Sequence, residues 1–128
     1  MNGTKVFILI AEDEKVLSSA LSIKFENEGF EVRVVESGDL VVSTVQTWKP
    51  SIILLDLLLP KKGGKEILKE LSADPELKTT PVIILSNLDS DDDIKECISM
   101  GAVDYFVKAN HPIMEIIEKV KKIAEEPR

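Results

Sequence analysis

The sequence predicts an α/β protein built on one doubly wound parallel sheet. Two observations lead to this fold class. Short β-rich runs alternate with segments of helical spacing along the 128 residues, and most of the runs are apolar at nearly every position. Parallel strands need crossover connections, and strands that helices cover on both faces read as continuous aliphatic runs. Five such units predict a (βα)5 sheet.

Five segments have the composition of strands. In chain order they are residues 5–11, 31–36, 51–56, 81–86 and 103–108. Four of them share the apolar pattern of central strands, whereas 31–36 alternates more and is placed nearer an edge.

Apolar residues at helical spacing follow each strand. Gly29, Pro50 and Gly101 come after three of these segments, as is typical of helix C-termini. The last helix is expected after Pro112, with its charged residues opposite an apolar stripe. The positions at helical spacing are Leu17, Leu21 and Phe25; Leu40, Val41, Thr44, Val45 and Trp48; Ile67, Leu68 and Leu71; Ile94, Ile98 and Met100; and Ile113, Ile116, Ile117, Val120 and Ile123.

The leading topology is the flavodoxin-like strand order 2-1-3-4-5. Crossovers between parallel strands are right-handed, and five strands are too few to close an eight-stranded barrel. No internal repeat, low-complexity tract or linker interrupts the pattern. Residues 1–128 are therefore expected to form a single domain.

Charge and cysteine content argue against several classes of protein. The net charge of -7 and the pI near 4.8 do not fit the basic surface that tracks nucleic-acid phosphates, so direct DNA binding is not expected. The only cysteine, Cys97, cannot form an internal disulfide. The first apolar run is too short for a signal peptide or a membrane span, and the expected location is the cytoplasm.

The residues at the carboxyl ends of the strands are the candidates for chemistry. In an open α/β sheet of this order, ligands bind at that edge, at the switch point between the first and third strands. The first predicted strand leads into Glu12-Asp13, the third ends in Asp56, the fourth in Ser86 and the fifth in Lys108. Three carboxylates, a hydroxyl and an ammonium group are expected to converge.

These groups fit phosphoryl transfer. Crowded carboxylates repel one another unless a cation is present, and oxygen ligands without histidine or a cysteine pair favour Mg²⁺ over zinc. Asp56 is placed to attack phosphorus and form an aspartyl phosphate, while Glu12 and Asp13 hold the metal. Lys108 would contribute a positive charge to one phosphoryl oxygen, and Ser86 a hydrogen bond to another.

Most of these residues also have a structural interpretation. Acidic residues such as Glu12 and Asp13 favour a helix N-terminus. Ser86 is typical of a hydroxyl at a strand end, and Lys108 can extend from an apolar strand into solvent. Asp56 has no comparable interpretation, because an unpaired carboxylate after a buried strand is costly.

The sequence resembles the response-regulator receiver family of two-component signalling along nearly its whole length. Glu12-Asp13 resembles the family's acidic pair, and the run DLLLP at 56–60, followed by Gly64, resembles its phosphoacceptor loop. The resemblance implies that a phosphohistidine of a sensor histidine kinase or phosphotransfer protein donates its phosphoryl group to Asp56. It also implies Mg²⁺ as cofactor, with the backbone carbonyl of Leu58 as a further ligand beside the three carboxylates.

The resemblance extends to a conformational switch. Ser86 stands where the family has serine or threonine, and GAVDYFVK at 101–108 resembles the stretch with the switch aromatic, here Tyr105, and the active-site lysine, Lys108. Phosphorylation would reposition Ser86 and Tyr105 and alter the face of the fourth helix, fifth strand and fifth helix, where a downstream protein target docks. Tyr105 can equally serve ordinary packing. The chain would catalyse its own phosphorylation and dephosphorylation without otherwise being an enzyme.

One position departs from the family pattern. Lys108 is followed by Ala109, where the family usually has proline after a cis peptide bond. A cis bond before a residue other than proline costs about 2.5–4 kcal/mol. The bond is therefore expected to be either trans in a rearranged loop or strained cis, which leaves the reach of Lys108 open.

Three other functions compete with that of a receiver. A phosphotransferase of the haloacid-dehalogenase type would carry a second aspartate where Leu58 stands. A flavin or nucleotide carrier would carry a Gly-rich or Ser/Thr-rich loop after the first strand, and none is present. A receiver-like protein that binds its partner without phosphorylation remains open, as does the choice between docking to a target and passing the phosphoryl group onward.

Overall fold

A computed structural model describes residues 5–126, so the ends of the predicted domain, 1–4 and 127–128, lie outside the described residues. Strands and helices alternate through this range, and a 3-10 turn at Gly38–Leu40 precedes the second helix. The elements are β1 (Phe7–Ala11), α1 (Lys15–Asn27), β2 (Glu31–Val35), α2 (Val41–Trp48), β3 (Ile52–Leu55), α3 (Gly64–Ala73), β4 (Val82–Ser86), α4 (Asp91–Ser99), β5 (Asp104–Val107) and α5 (Ile113–Glu125).

The five strands form one parallel sheet in the order β2-β1-β3-β4-β5, which confirms the predicted topology and the edge position of 31–36. All five strands are one or two residues shorter than predicted. Asp56 and Lys108 follow β3 and β5 directly, and their amides still donate to the neighbouring strands, to Ala11 O at 3.1 Å and Ser86 O at 2.9 Å. Both side chains are thus fixed at the carboxyl edge of the sheet.

Two apolar layers lie on opposite faces of the sheet, because alternate strand residues point to opposite sides. Leu9, Ile53 and Ile84 join the layer that packs against α2, α3 and α4. Ile8 and Ile52 join the other layer, which packs against α1 and α5. Helices cover both faces, as the continuous aliphatic runs predict.

The ends of α1 and α4 agree with two of the predicted signals, and a serine cap begins α4. Gly29 and Gly101 follow α1 and α4 with φ of 91° and 108°, a left-handed conformation that side chains with a Cβ disfavour. Ser90 caps α4, since its Oγ accepts a hydrogen bond from Asp93 N–H at 3.1 Å. Within α4, Cys97 is buried, whereas Ile98, part of the predicted apolar stripe, is 45% exposed.

All peptide bonds among the described residues are trans, including Lys108-Ala109, which answers the question left open by the missing proline. No helix within residues 5–126 is long and apolar enough to span a lipid bilayer.

Candidate functional site

Three carboxylates meet at the carboxyl edge of β1 and β3. Glu12, Asp13 and Asp56 each place an oxygen within 4.8 Å of the other two. Glu12 and Asp56 are buried, with side chains 2% and 5% exposed, whereas Asp13 is exposed. The parallel topology brings them together, because β1 and β3 are neighbours and end at the same edge.

Lys108 places its ammonium group among the carboxylates. Nζ donates to Glu12 Oε2 at 3.1 Å, to Asp56 Oδ2 at 3.0 Å and to Glu14 Oε1 at 2.7 Å. The Lys108 side chain is 11% exposed, so its pairs with Glu12 and Asp56 are shielded from water, whereas Glu14 is 57% exposed. Lys108 thus points into the site, as predicted, and the alternative in which it extends into solvent does not hold. Although the Lys108-Ala109 peptide bond is trans, the Lys108 side chain still reaches the Glu12 and Asp56 carboxylates.

The electrostatics follow from burial and pairing. Burial raises the pKa of Glu12, and hydrogen bonds from the Glu14 amide and Lys108 offset only part of that rise. Burial also acts to lower the pKa of Lys108, but hydrogen bonds to Glu14, Glu12 and Asp56 outweigh it, so the net shift is upward. Lys108 stays protonated and neutralises part of the cluster.

The loop after β3 holds the Asp56 carboxylate from the other side. Asp56 Oδ1 accepts a hydrogen bond from Leu58 N–H at 3.1 Å. Leu58 is exposed and lines a small open cleft together with Asp13, Asp56 and Lys108. The two oxygens of Asp56 thus have separate partners, a backbone amide and an ammonium group. The Leu58 carbonyl, predicted as a metal ligand, belongs to the same loop.

Ser86 and Tyr105 lie on β4 and β5, and both contact the backbone of one residue. Ser86 is fully buried, and its Oγ accepts a hydrogen bond from Leu88 N–H at 3.3 Å. The Tyr105 hydroxyl donates to Leu88 O at 2.5 Å, and burial is the main cause that raises the pKa of Tyr105 to about 12. Among the described contacts, none joins either hydroxyl to the carboxylates.

Two residues of the cleft were missed from the sequence. Asn87 lines it immediately after Ser86, and Glu14 both lines it and pairs with Lys108. The signal for Glu14 was present in the run Glu12-Asp13-Glu14, whose third carboxylate follows the predicted acidic pair. Asn87 carries no such signal, since one asparagine after a strand is ordinary.

The donor set fits a hard divalent cation. All candidate ligands are oxygens, and three of them come from carboxylates on one edge. Glu12 Oε1 is buried and, although 2.9 Å from Lys108 Nζ, has no hydrogen-bond donor in suitable geometry. A buried carboxylate oxygen without a donor is costly unless a cation coordinates it.

Relatives of known sequence match most of the chain. The sequence profile of the response regulator receiver domain matches residues 8–121. The sensory transduction protein RegX3 of Mycobacterium tuberculosis is 33% identical over 116 residues, which are 91% of this chain and 49% of RegX3. The chain thus spans about half the length of the curated relatives it matches.

Solved structures agree with the sequence relatives. The phosphorylated cyanobacterial phytochrome response regulator RcpA superposes with a TM-score of 0.81 at 30% identity, covering 95% of this chain and 93% of RcpA. The Mn²⁺-bound form of response regulator Rcp1 gives a TM-score of 0.84 at 25% identity, covering 96% and 97% of the two chains. Because the family profile spans most of the sequence, the chain belongs to the receiver domain family of two-component response regulators.

Proposed function

We propose that this receiver domain accepts a phosphoryl group on Asp56 from a phosphohistidine of a sensor histidine kinase or a phosphotransfer protein. The observation that carries the proposal is the setting of the Asp56 carboxylate. It lies within 4.8 Å of the Glu12 and Asp13 carboxylates, and Lys108 Nζ lies 3.0 Å from its Oδ2. A nucleophile, a cation site and a fixed positive charge are the parts that phosphoryl transfer needs.

The reaction is a displacement at phosphorus. A carboxylate oxygen of Asp56 forms a bond to phosphorus while the P–N bond to the donor imidazole breaks. The imidazole leaves with the electron pair of that bond and takes up a proton from solvent. Water then hydrolyses the aspartyl phosphate and returns Asp56 and inorganic phosphate. We propose that the domain catalyses this dephosphorylation itself, which returns it to the resting state.

The other residues of the site position and neutralise the phosphoryl group. Glu12, Asp13, Asp56 and the backbone carbonyl of Leu58 would hold Mg²⁺, which when bound offsets negative charge on the phosphoryl oxygens. Lys108 donates an N–H to one phosphoryl oxygen. Crystal structures of similar response regulators support a phosphoryl group and a divalent cation in this fold, since RcpA is described as phosphorylated and Rcp1 as Mn²⁺-bound.

Ser86 and Tyr105 would transmit the change through Leu88. The Leu88 amide donates to Ser86, and the Leu88 carbonyl accepts from Tyr105. When Ser86 turns to donate to a phosphoryl oxygen, its bond with the Leu88 amide must break or lengthen. The loop before α4 then shifts relative to Tyr105, and the surface of α4, β5 and α5 changes for a downstream protein target.

The output follows one of two routes, docking of a target on that surface or transfer of the phosphoryl group onward to another histidine. Family membership gives no support to the dehalogenase and flavin-carrier alternatives. The receiver that binds without phosphorylation is the remaining competitor, and the next experiment separates it from the phosphoacceptor.

The test is intact-protein mass spectrometry after incubation with acetyl phosphate and MgCl₂. We expect one phosphoryl adduct on the wild-type protein, none without the metal, and none on Asp56→Asn. Asp39→Asn is the matched control, because Asp39 is exposed and bonded to Ser37 away from the cleft, so this variant should be phosphorylated normally. A wild-type protein that stays unmodified while folded, or an Asp56→Asn variant that still gains the group, would contradict the proposal.

A further inference from the structure

Glu14 is the member of the Lys108 cluster for which the proposed chemistry has no role. It directly precedes α1 and does not cap that helix with its side chain. Its Oε1 lies 2.7 Å from Lys108 Nζ, the shortest of the three hydrogen bonds that Lys108 makes to carboxylates. The side chain is 57% exposed at the mouth of the cleft.

The hydrogen-bonding capacity of Lys108 is already used. An ammonium group has three N–H donors and no acceptor. Lys108 directs them to Glu12 Oε2, Asp56 Oδ2 and Glu14 Oε1. A phosphoryl oxygen on Asp56 can therefore bind Lys108 only after one of these carboxylates has been released.

The exposure of the three carboxylates decides which one is released. The Glu12 side chain is 2% exposed, so its carboxylate would stay desolvated if Lys108 released it. Asp56, 5% exposed, is the nucleophile and is still a buried carboxylate that needs Lys108 while the phosphoryl group approaches. Glu14 can turn into water and be hydrated. The least costly partner to exchange for a phosphoryl oxygen is therefore Glu14.

We propose that Glu14 is a positioning residue that competes with the phosphoryl group for one N–H of Lys108 and thereby slows phosphorylation of Asp56. This inference rests on the proposed function of Asp56. The competition has a limited size, because an exposed ion pair changes an equilibrium by at most about fivefold. Glu14 adjusts the rate of the switch and is not required for it.

The test compares two substitutions that change net charge equally. Glu14→Gln removes the competing charge at Lys108. Glu36→Gln removes a charge from an equally exposed side chain, 61%, that pairs at 3.1 Å with Lys15 instead. Rate constants for phosphorylation by phosphoramidate are measured by mass spectrometry in saturating MgCl₂. We expect Glu14→Gln to react about two- to fivefold faster than wild type and Glu36→Gln to react at the wild-type rate.

A second readout separates competition for Lys108 from a structural role. Beryllofluoride mimics the phosphoryl group without covalent chemistry, and its dissociation constant is obtained from thermal shifts in MgCl₂. Glu14→Gln should bind it about two- to fivefold more tightly, with an unchanged melting temperature in its absence. If Glu14→Gln leaves the phosphorylation rate and the beryllofluoride affinity unchanged, or if Glu36→Gln has the same effects, the proposed role of Glu14 is wrong. The proposed function of Asp56 is not affected by either result. A wild-type protein that phosphoramidate leaves unmodified overturns the proposed function, and the role of Glu14 with it.

Discussion

At the scale of single residues, the buried charges of the site are paired within hydrogen-bonding distance. Glu12 and Asp56 would be costly to bury alone, and each is within 3.1 Å of Lys108 Nζ. When no cation is bound, the ammonium group at these short distances also offsets the repulsion between the Glu12 and Asp56 carboxylates. Lys108 therefore has two roles in turn, as counter-ion of the resting site and as donor to the phosphoryl group.

The ionisation of the Tyr105 hydroxyl can be followed by absorbance, since Tyr105 is the only tyrosine of the chain. Burial raises its pKa from 10.0 to about 12. Because the folded pKa is raised, the hydroxyl contributes stability fully below pH 10 and loses that contribution as the pH rises towards about 12. Absorbance at 295 nm should show a protonated phenol in the native protein at a pH midway between these values.

Urea-unfolded protein is the control for that titration, and its phenol should be largely ionised at the same pH. Coincident curves for native and unfolded protein would mean that the Tyr105 hydroxyl is not held against Leu88 in solution.

The sequence predicts the charged residues of the site better than their partners. Glu12, Asp13, Asp56 and Lys108 were identified because strand ends in a parallel sheet share one edge, which is a property of topology. The pairing of Glu14 with Lys108 depends on side-chain rotamers across 94 residues of sequence, and periodicity carries no information about these.

At the scale of elements, the connection from β3 to α3 sets the position of Asp56. Gly64 begins α3 directly under this loop, and a Cβ on it would lie 2.6 Å from both Asp56 O and Leu57 Cα. Gly63 is different, because its nearest such contact is Leu57 O at an ordinary 3.6 Å. The close approach at Gly64 thus requires glycine for space and not for backbone conformation.

Alanine at each of these glycines tests that close approach. Gly64→Ala should lower the free energy of unfolding by about 2–3 kcal/mol, because backbone atoms of the loop must move to admit the methyl group. Gly63→Ala should cost less than about 1 kcal/mol, the usual effect at a helix N-cap. Urea unfolding followed by fluorescence of Trp48, the only tryptophan, measures both. Equal costs for the two variants would show that the loop has room at Gly64.

Strand boundaries were predicted to within one or two residues. The buried face of a helix is harder to predict, as the fourth helix shows. Ile94 and Ile98 are four residues apart, a spacing that suggests one buried stripe. In the fold, Ile94 and Cys97 pack towards the sheet, and Ile98 is left exposed. A nine-residue helix has too few apolar positions to fix its rotation from sequence, so its packing against β5 decides.

At the scale of the whole molecule, the ion pairs of the site join distant parts of the chain. Lys108 follows β5, while its partners follow β1 and β3, 96 and 52 residues earlier. Within residues 5–126, β5 is an edge strand whose neighbour in the sheet is β4, so the side chain of Lys108 spans the end of β4 to reach the centre of the sheet. Replacement of Lys108 therefore affects both the cation site and the attachment of the edge strand.

Lys108→Ala should make the stability of the domain depend more strongly on Mg²⁺. Without the metal, the variant leaves the buried Glu12 and Asp56 carboxylates uncompensated, at a cost of about 3 kcal/mol. Mg²⁺ then meets a site with more negative charge and no competing ammonium group, so it binds more tightly and restores more stability by mass action. The rise in melting temperature on adding MgCl₂ should be larger for Lys108→Ala than for wild type.

Lys121→Ala is the matched control, because Lys121 pairs with Glu28 at 2.8 Å on the far side of the molecule. It removes the same charge from the chain, so a general effect of net charge on Mg²⁺ binding would appear equally in both variants. A metal-induced rise that is the same for Lys108→Ala, Lys121→Ala and wild type would mean that Lys108 does not compete with the cation. The hydrogen bonds between Lys108 and the carboxylates would then be too weak in solution to hold the edge of the sheet.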